Sequence, residues 1–327
     1  MRALTKTGPG SVALTDRQLR PVGTGLVRVR VAATGVCGTD VHIGCDEYPS
    51  ELPVTMGHEI SGTVTVVGEA VDSSWVGRRV ACETYFSACE ECRYCRDGRR
   101  NLCSRRRSLG SFEDGGFAAE VVLPARNLHE VPAAVDATAA ALCEPLACVC
   151  QCLLDPPRIA PGDRVVVIGP GAMGLLSVQV AMAQGAEVTC AGLPADVRRL
   201  EVARDLGAST LTQIDDDAYD VVIECSGSGG GIAAALRAAA RGGRVVQVGI
   251  RGVPVEVPWD LILYKELEIS SGFASTPGSW RRAMALLDSG QVDLAPLVSH
   301  VVPLVEWERA FGLVGSTEAI KVVIDPS

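Results

Sequence analysis

The sequence has no excess of positive charge and no long uninterrupted hydrophobic run. Its 30 Lys and Arg are outnumbered by 39 Asp and Glu, so the net charge is −9, and the pI is about 5.1. A nucleic-acid-binding role is therefore not expected. The one Arg-rich segment, residues 93–107, is short and mixed with acids, which is typical of a solvated loop.

Targeting and membrane signals are also missing from the sequence. The N-terminal MRALTKTGPG lacks the apolar core of a secretory signal. The most apolar stretch, residues 137–154, is interrupted by Glu144 and Pro145 and does not fit a membrane span. Internal repeats and low-complexity segments are absent as well. We therefore expect a cytoplasmic protein that does not bind membranes.

The composition that is present indicates a folded globular chain. Hydrophobic residues make up 47% and charged residues 21% of the 327 positions, a length that suits one large or two ordinary domains. The 35 glycines suit tight turns and a buried parallel sheet. In a cytoplasmic chain, the 13 cysteines indicate metal ligation and buried thiols rather than a disulfide framework.

The apolar pattern changes along the chain and predicts an α/β fold. Residues 24–34 and 60–68 alternate apolar with polar or small residues, as in an antiparallel barrel or sandwich. From residue 164, short apolar strands alternate with helical segments, which predicts βαβ units and a doubly wound parallel sheet. We expect a β-rich domain over 1–149, the doubly wound domain over 150–274, and a return to the first domain over 275–327.

The segment VVVIGPGAMG predicts a dinucleotide-binding loop. Its glycines follow an apolar strand directly and open a helix. Gly169 permits the tight turn, Gly171 lets the backbone approach a pyrophosphate, and Gly174 permits close packing of helix on strand. The helix N-terminus offers free N–H groups to the phosphates. The coenzyme-binding residues predicted from this domain's turns are Gly169, Gly171, Ala172, Met173, Gly174 and Val248.

The next strand bears on the choice between NAD and NADP. An acid that binds the ribose is expected about 20 residues after the glycines, and its place falls on Gly192. Glycine leaves room for a 2′-phosphate, with which Arg198 and Arg199 could pair. Asp196 in the same loop could instead bind the ribose of NAD, and the two arginines could belong to a solvated helical turn. Together, these residues slightly favour NADP over NAD.

Four cysteines within fifteen residues predict a structural zinc site. They follow the spacing Cys89-x2-Cys92-x2-Cys95-x7-Cys103, which allows four thiolates to surround one ion tetrahedrally. Four protein ligands leave no position open for a substrate. The residues between them are polar or basic and cannot form a core, so we expect the metal to order this lobe, residues 86–105.

A second set of possible metal ligands is dispersed along the chain. GVCGTDVH contains Cys37, Thr39 and His42, MGHEISG contains His58 and Glu59, and LCEPLAC contains Glu144. Cysteine, histidine and carboxylate are the ligands of an open catalytic zinc. Spacing alone does not join these segments. Each segment also has an ordinary alternative. Cys37 could be a buried thiol, His58 and Glu59 could be surface residues, and Glu144 could be a helix-capping acid.

Taken in order, these motifs and the C-terminal KELEISSGFASTPGSW resemble those of the zinc-dependent medium-chain alcohol dehydrogenases over essentially the whole chain. The glutamate of CEPLAC is similar to the polyol and threonine dehydrogenase branch. The resemblance implies a GroES-like catalytic domain, a Rossmann domain, an active site in the cleft between them, and a homodimer or homotetramer formed through the Rossmann domain.

The resemblance also implies roles for individual residues. Cys37, His58 and Glu59 would bind the catalytic zinc, and Glu144 would be an alternate or water-bridged ligand. Thr39 would hydrogen-bond the substrate oxygen. His42 would pass its proton to solvent through the coenzyme ribose. The chain would thus hold two zinc ions, one catalytic and one structural.

We therefore expect a zinc-dependent NAD(P) dehydrogenase acting on a secondary alcohol, or the matching ketone, of a polyol, sugar or cyclitol. A threonine-type dehydrogenase is the alternative within the family, and a non-catalytic zinc protein that senses dinucleotides is the alternative outside it. Three features depart from the polyol branch: Gln151 stands where a histidine is usual, the acid at position 192 is missing, and the segment containing Tyr48 is short.

Overall fold

The structure is a computed structural model that describes all 327 residues. Its strands are β1 Arg2–Gly8, β2 Ser11–Asp16, β3 Leu26–Gly35, β4 Val54–Thr55, β5 Glu59–Val67, β6 Arg79–Cys82, β7 Tyr85–Ser87, β8 Arg107–Ser108, β9 Glu120–Pro124, β10 Leu128–Glu130, β11 Arg164–Ile168, β12 Glu187–Ala191, β13 Ser209–Leu211, β14 Tyr219–Glu224, β15 Ala239–Gln247, β16 Glu268–Ser271, β17 Val298–Pro303 and β18 Lys321–Asp325.

The helices are fewer than the strands, and the longest of them have 12 residues. They are α1 Gly38–Gly44, α2 Arg93–Arg96, α3 Cys143–Leu154, α4 Ala172–Ala183, α5 Val197–Asp205, α6 Gly229–Ala238, α7 Asp260–Tyr264, α8 Pro277–Asp288 and α9 Trp307–Leu313. No helix has the length and apolar character that crossing a membrane requires.

The first compact unit comprises Met1–Glu144 and Val298–Ser327. Its main sheet has the strand order β10-β6-β5-β3-β18-β17, with β9 also paired to β3, and a smaller sheet has the order β2-β1-β4. Most pairs are antiparallel, and β17 with β18 is parallel. The predicted alternation is visible in β3, where Val27, Val29 and Val31 are buried in a core cluster. The sheet therefore places the ends of β3 and β5 side by side.

The second compact unit comprises Pro145–Leu297. Its six strands are all parallel in the order β13-β12-β11-β14-β15-β16. Val165, Val166 and Val167 in β11 are fully buried, as expected for a strand covered on both faces. The strand order changes direction between β11 and β14, which is the switch point where such sheets bind ligands at their carboxyl edge.

The unit boundaries differ from those placed by sequence at 149/150 and 274/275. The first falls within α3, between Glu144 and Pro145, and the return to the first unit begins at Val298. Helix α8 lies in the second unit, where the hydroxyl of its N-cap residue, Thr276, donates a 2.8 Å hydrogen bond to Gln151 in α3. That bond also gives Gln151 a structural role in place of the usual histidine.

Candidate active site

The first group of metal-ligating side chains lies where β3 and β5 meet. Cys37 follows β3 as the N-cap residue of α1, while His58 directly precedes β5 and Glu59 is its first residue. Gly35 pairs directly with Glu59 in the sheet, so the register brings the two segments together. The sulfur of Cys37, a ring nitrogen of His58 and a carboxylate oxygen of Glu59 lie within 4.8 Å of one another.

This donor set fits a zinc ion. With ligand bonds of about 2.0–2.3 Å, tetrahedral zinc spaces its ligand atoms by about 3.3–3.8 Å, which is compatible with the observed cluster. One thiolate, one imidazole and one carboxylate leave a fourth position open for a small ligand, as in catalytic zinc sites. His58 and Glu59 are buried and Cys37 is half-buried.

Asp40 orients two members of this cluster. One of its oxygens accepts a 2.9 Å hydrogen bond from the Cys37 backbone N–H, and the other lies 3.5 Å from Nδ1 of His58. Burial alone would lower the pKa of His58, but the Asp40 carboxylate and the Cys37 thiol raise it well above its ordinary value. The surroundings of the imidazole therefore favour positive charge, which a metal cation would supply.

Glu59 is also bound to a buried lysine from the C-terminal strand. The Lys321 ammonium lies 2.6 Å from Oε1 and 2.5 Å from Oε2 of Glu59. Burial alone would lower the pKa of Lys321, but Glu59, Cys37 and Glu144 raise it above its ordinary value. Lys321 thus stays charged and balances part of the negative charge of the cluster.

Glu144 stands apart from the three clustered ligands. It is buried in the first turn of α3, and its Oε1 accepts a 2.8 Å hydrogen bond from the Thr84 hydroxyl. It is not among the ligand atoms that lie within 4.8 Å of one another. It is near enough to raise the pKa values of Glu59 and Lys321, so it borders the site without joining the cluster.

Thr39 and His42 lie on α1, three residues apart and therefore on one side of the helix. The Thr39 hydroxyl is 3.7 Å from the Cys37 sulfur, next to the metal cluster. His42 is half exposed, and its Nδ1 is 2.6 Å from Oε2 of Glu47. The two side chains thus extend from the cluster toward solvent.

The second group of possible ligands is the four-cysteine lobe. Sulfurs of Cys89, Cys92, Cys95 and Cys103 all lie within 4.8 Å of one another, and Cys89 to Cys95 is 3.8 Å. That distance equals the sulfur–sulfur separation of about 3.8 Å in tetrahedral zinc thiolate sites. Backbone N–H groups of Cys92 and Glu91 lower the pKa of Cys89 to about 6, so one thiolate is present near neutral pH.

The glycine loop in the second unit has the geometry that its sequence predicts. It connects β11 to α4, and Gly171 is the N-cap residue of that helix. A Cβ atom on Gly174 would lie 1.9 Å from the carbonyl oxygen of Gly169, so only glycine permits this packing. Ala172 and Met173 begin the helix and are half-buried. The free N–H groups of α4 therefore stand at the carboxyl edge of the sheet.

The candidate ribose-binding residues after β12 differ in how far they are buried. Asp196 is buried, and its carboxylate accepts hydrogen bonds from the Leu193 N–H at 2.9 Å and from Arg199 at 3.2 Å. Arg198 is exposed, and Gly192 is half-buried. Asp196 therefore already has internal partners, and Arg198 is the arginine whose side chain is exposed to solvent.

Most cysteines outside the two groups are ordinary buried thiols. Burial raises the pKa of Cys150 to about 12 and that of Cys152 to about 11, so both stay protonated. Cys148 is half-buried. All three are buried or half-buried in α3, which fits the buried thiols expected from the composition. Cys45, by contrast, is exposed.

Three residues at this site were not identified from the sequence. They are Asp40, Thr84 and Lys321, and each acts through a residue that was identified. A signal existed for two of them: Asp40 lies within the GVCGTDVH motif, and Lys321 opens the apolar run KVVI, where a lysine is unusual. Thr84 had no comparable signal.

Comparison with protein-family models matches two segments of the chain. Residues 23–133 match the alcohol dehydrogenase GroES-like domain, and residues 172–289 match the zinc-binding dehydrogenase domain. The chain belongs to the zinc-dependent medium-chain alcohol dehydrogenase family. The family, the fold class and the reaction class predicted from the sequence are thereby confirmed: the chain is an oxidoreductase that transfers a hydride between a nicotinamide coenzyme and an alcohol or ketone.

Individual relatives match over the full length. Sorbitol dehydrogenase of Halalkalibacterium halodurans is 38% identical, covering 100% of this chain and 99% of that protein. L-threonine 3-dehydrogenase of Bacillus subtilis is 33% identical with the same coverage. A zinc-binding dehydrogenase of Sinorhizobium meliloti 1021, crystallised with NADP, superposes with a TM-score of 0.92 at 31% identity, covering 99% of each chain.

Proposed function

We propose that this enzyme oxidises a secondary alcohol of a polyol, sugar or cyclitol, or reduces the corresponding ketone, with one catalytic and one structural zinc per chain. The observation that carries the proposal is the cluster of Cys37, His58 and Glu59, with Thr39 at its border. The similarity to sorbitol dehydrogenase supports the substrate class.

The catalytic zinc would be held by Cys37, His58 and Glu59. When bound, it supplies a Lewis acid that favours the deprotonated form of the substrate hydroxyl. Asp40 orients the His58 ring, and Lys321 holds the Glu59 carboxylate. Glu144 is assigned the role of an alternate or water-bridged ligand, held by Thr84.

Proton removal would run along α1. The Thr39 hydroxyl would accept the proton of the substrate hydroxyl while giving up its own, and His42 would receive that proton by way of the coenzyme ribose. The Glu47 carboxylate, 2.6 Å from Nδ1 of His42, stabilises the imidazolium that forms. Because His42 is half exposed, its proton reaches solvent directly.

We assign the coenzyme to the carboxyl edge of the parallel sheet, where a bound nicotinamide would supply the acceptor or donor of the hydride. The pyrophosphate would lie against Gly169, Gly171 and Gly174, beside Ala172 and Met173, with Val248 on a neighbouring turn. Free N–H groups at the start of α4 suit its negative charge.

NADP is assigned as the preferred coenzyme. Gly192 offers no acid to the ribose, and the carboxylate of Asp196 is already bound by Leu193 N–H and Arg199. Arg198 is exposed and available to a 2′-phosphate, while Arg199 borders the same loop. The relative from Sinorhizobium meliloti, which was crystallised with NADP, agrees with this assignment.

The enzyme is also assigned as a cytoplasmic homodimer or homotetramer, assembled through the second unit. Strand β16 forms one edge of its sheet, and Trp259, Leu263 and Tyr264 near it are exposed by 68%, 76% and 66%. Apolar patches of this kind beside a free strand edge are typical of contacts between protein chains. The reducing conditions of the cytoplasm would keep the cysteine ligands of both proposed zinc sites from forming disulfides, so that they remain able to bind metal.

A coenzyme-linked assay tests the substrate and coenzyme. Polyols, cyclitols, sugars and L-threonine are offered with NAD and with NADP, and the absorbance of the reduced coenzyme is followed. We expect turnover of a polyol, sugar or cyclitol, abolished in Thr39→Val. Turnover of threonine alone would support the alternative suggested by the Bacillus subtilis relative, and no turnover of any alcohol would support a non-catalytic sensor.

A matched pair of variants tests the coenzyme preference. Arg198→Ala should raise the KM for NADP by about tenfold and leave the KM for NAD nearly unchanged, because only NADP carries the 2′-phosphate that the guanidinium pairs with. Arg204→Ala, on the far end of α5, serves as the control. An equal change for both coenzymes would contradict the assignment.

A further inference from the structure

Glu224 is a buried carboxylate at the carboxyl end of β14, and no cationic side chain forms an ion pair with it. A buried charge is costly unless polar groups compensate it. Its surroundings therefore have to supply several hydrogen-bond donors. None of the residues assigned above to zinc, substrate or coenzyme donates a hydrogen bond to this carboxylate.

The donors come from two separate segments of the chain. Oε1 of Glu224 accepts hydrogen bonds from the backbone N–H groups of Ser226 at 2.8 Å and Gly227 at 3.1 Å, and from the Ser226 hydroxyl. Oε2 accepts a 3.0 Å bond from the side-chain amide of Gln247, the last residue of β15. One carboxylate thus joins the turn after β14 to the end of β15.

Both of these segments border the glycine loop. Strands β11, β14 and β15 are neighbours in the sheet, so the turns at their carboxyl ends are adjacent. The Cys225 N–H donates to the Ile168 carbonyl at 2.8 Å. A Cβ atom on Gly169 would lie 2.8 Å from Cα of Ser226. The turn that Glu224 shapes is therefore in van der Waals contact with the loop assigned to the pyrophosphate.

The network extends to the backbone on either side. The backbone carbonyl of Glu224 accepts 2.8 Å bonds from the N–H groups of Val248 and Gly249. The Ser226 hydroxyl lies 2.9 Å from that of Ser228, which caps α6 by accepting the Gly231 N–H. Glu224 is thus the common partner of the turns after β14 and β15.

We propose that Glu224 is a positioning residue for the nicotinamide coenzyme: its carboxylate fixes the turn 225–228 against residues 247–249, and so shapes the groove next to the glycine loop. The side chain is fully buried and all its bonds are internal, so it acts through these turns and does not contact the coenzyme. This inference rests on the proposed function, because it assumes that a dinucleotide binds at this edge.

The test compares Glu224→Gln with the double variant Glu224→Gln, Gln247→Glu. The single variant places an amide NH2 group opposite the donating amide of Gln247, so one bond is lost and two donors face each other. The double variant places a carboxylate acceptor at position 247 opposite the amide at position 224, but it also removes the 2.5 Å bond that the Gln247 amide donates to the Gly249 carbonyl. The dissociation constant of the reduced coenzyme is measured by its fluorescence on binding, in zinc-loaded enzyme.

We expect Glu224→Gln to raise that dissociation constant by about tenfold, while kcat at saturating coenzyme falls by less than about threefold. The double variant should recover part of the affinity. Glu187→Gln, an exposed carboxylate at the opposite end of the same sheet, should bind as the wild type does. A single variant that binds coenzyme normally, or a double variant that restores nothing, would overturn the inference.

If Glu224→Gln does not fold, Gln247→Ala replaces it, because that change removes one donor and leaves the other hydrogen bonds to Glu224 in place. We expect a several-fold weaker affinity, and an unchanged dissociation constant would overturn the inference. Wild-type enzyme that binds neither NADH nor NADPH would instead contradict the proposed function itself. The two failures are therefore distinguishable.

Discussion

Two carboxylates near the proposed catalytic metal, Glu59 and Glu144, have different partners. Glu59 lies within 4.8 Å of the cysteine and histidine donors and is paired with Lys321. Glu144 is outside that cluster and is held by the Thr84 hydroxyl. Because a metal ligand must lie close to its fellow ligands, this difference supports our proposal that Glu59 binds the metal directly.

The zinc content of two glutamine variants tests that assignment. We predict that Glu59→Gln loses about one zinc per chain, because a neutral amide is a much weaker zinc ligand than a carboxylate. Glu144→Gln should keep its full zinc content. Both variants are measured by elemental analysis after dialysis, and loss of zinc from Glu144→Gln but not from Glu59→Gln would reverse the assignment.

At the residue scale, the sequence indicated the ligands better than their supports. Cys37, His58 and Glu59 belong to short motifs of metal-ligating residue types, so their chemistry is visible locally. Lys321 is separated from Glu59 by 262 positions, and no periodicity joins them. Partners of this kind arise from sheet pairing, here of β3 with both β5 and β18, which local sequence does not encode.

At the level of elements, helix α6 is fixed by a lysine beyond its C-terminal end. The buried ammonium of Lys265 donates to the carbonyl oxygens of Leu236, Arg237 and Ala239 at 3.2, 2.6 and 3.0 Å. These carbonyls lie at the negative end of the helix dipole and have no partner within the helix. Lys265 therefore acts as the C-terminal cap of α6.

We predict that Lys265→Met lowers the local opening free energy of α6 by about 2–3 kcal/mol, because three buried carbonyls lose a charged donor. Hydrogen exchange of the α6 amides, followed by mass spectrometry, measures this. Arg241→Met, which removes an exposed bond to the Tyr264 carbonyl, should change the value by less than about 0.5 kcal/mol. Equal effects of the two variants would contradict the capping role.

We propose that the four-cysteine lobe depends on a bound zinc ion for its order. Between Cys89 and Cys103 the backbone forms only the four-residue helix α2 and one short turn, and the side chains are largely polar or basic. A zinc ion held by the four thiolates would therefore supply folding free energy that packing does not. We predict that a strong chelator makes the arginines of this lobe sites of rapid tryptic cleavage.

Peptide mapping of the digest distinguishes the two zinc sites. Cys37→Ser should resist trypsin in the lobe as the wild type does, because its four thiolates are intact. Rapid cleavage within the lobe of the zinc-loaded wild type, at the same rate as after chelation, would show that the metal does not order it.

Elements were predictable from the sequence to different degrees. The βαβ pattern from residue 164 gives β11, α4, β12 and their successors because buried parallel strands are continuous apolar runs. Placing α8 in the second unit was not predictable, because its contact with α3, between Thr276 and Gln151, joins residues 125 positions apart.

At the scale of the whole molecule, the free edge of the second unit predicts self-association. Ile269 in the edge strand β16 is 43% exposed, and this strand follows α7, where Leu263 and Tyr264 are exposed as well. We predict that Leu263→Arg or Ile269→Lys shifts the wild-type oligomer to a smaller species, because each buries a charge in the contact. Light scattering coupled to size-exclusion chromatography measures the mass.

A variant on the first unit serves as the control. Val76 is half exposed there, and Val76→Arg should leave the mass unchanged. A monomeric wild type, or an unchanged mass in both edge variants, would contradict assembly through this edge.

The central claim is that one chain has two separate zinc sites with different tasks, and zinc content per chain tests it most directly. The account predicts two zinc ions in the wild type, two in Cys148→Ser, and one in Cys37→Ser, which should also lose activity while keeping the lobe folded. A single zinc ion per wild-type chain, unchanged in Cys37→Ser, would contradict the account.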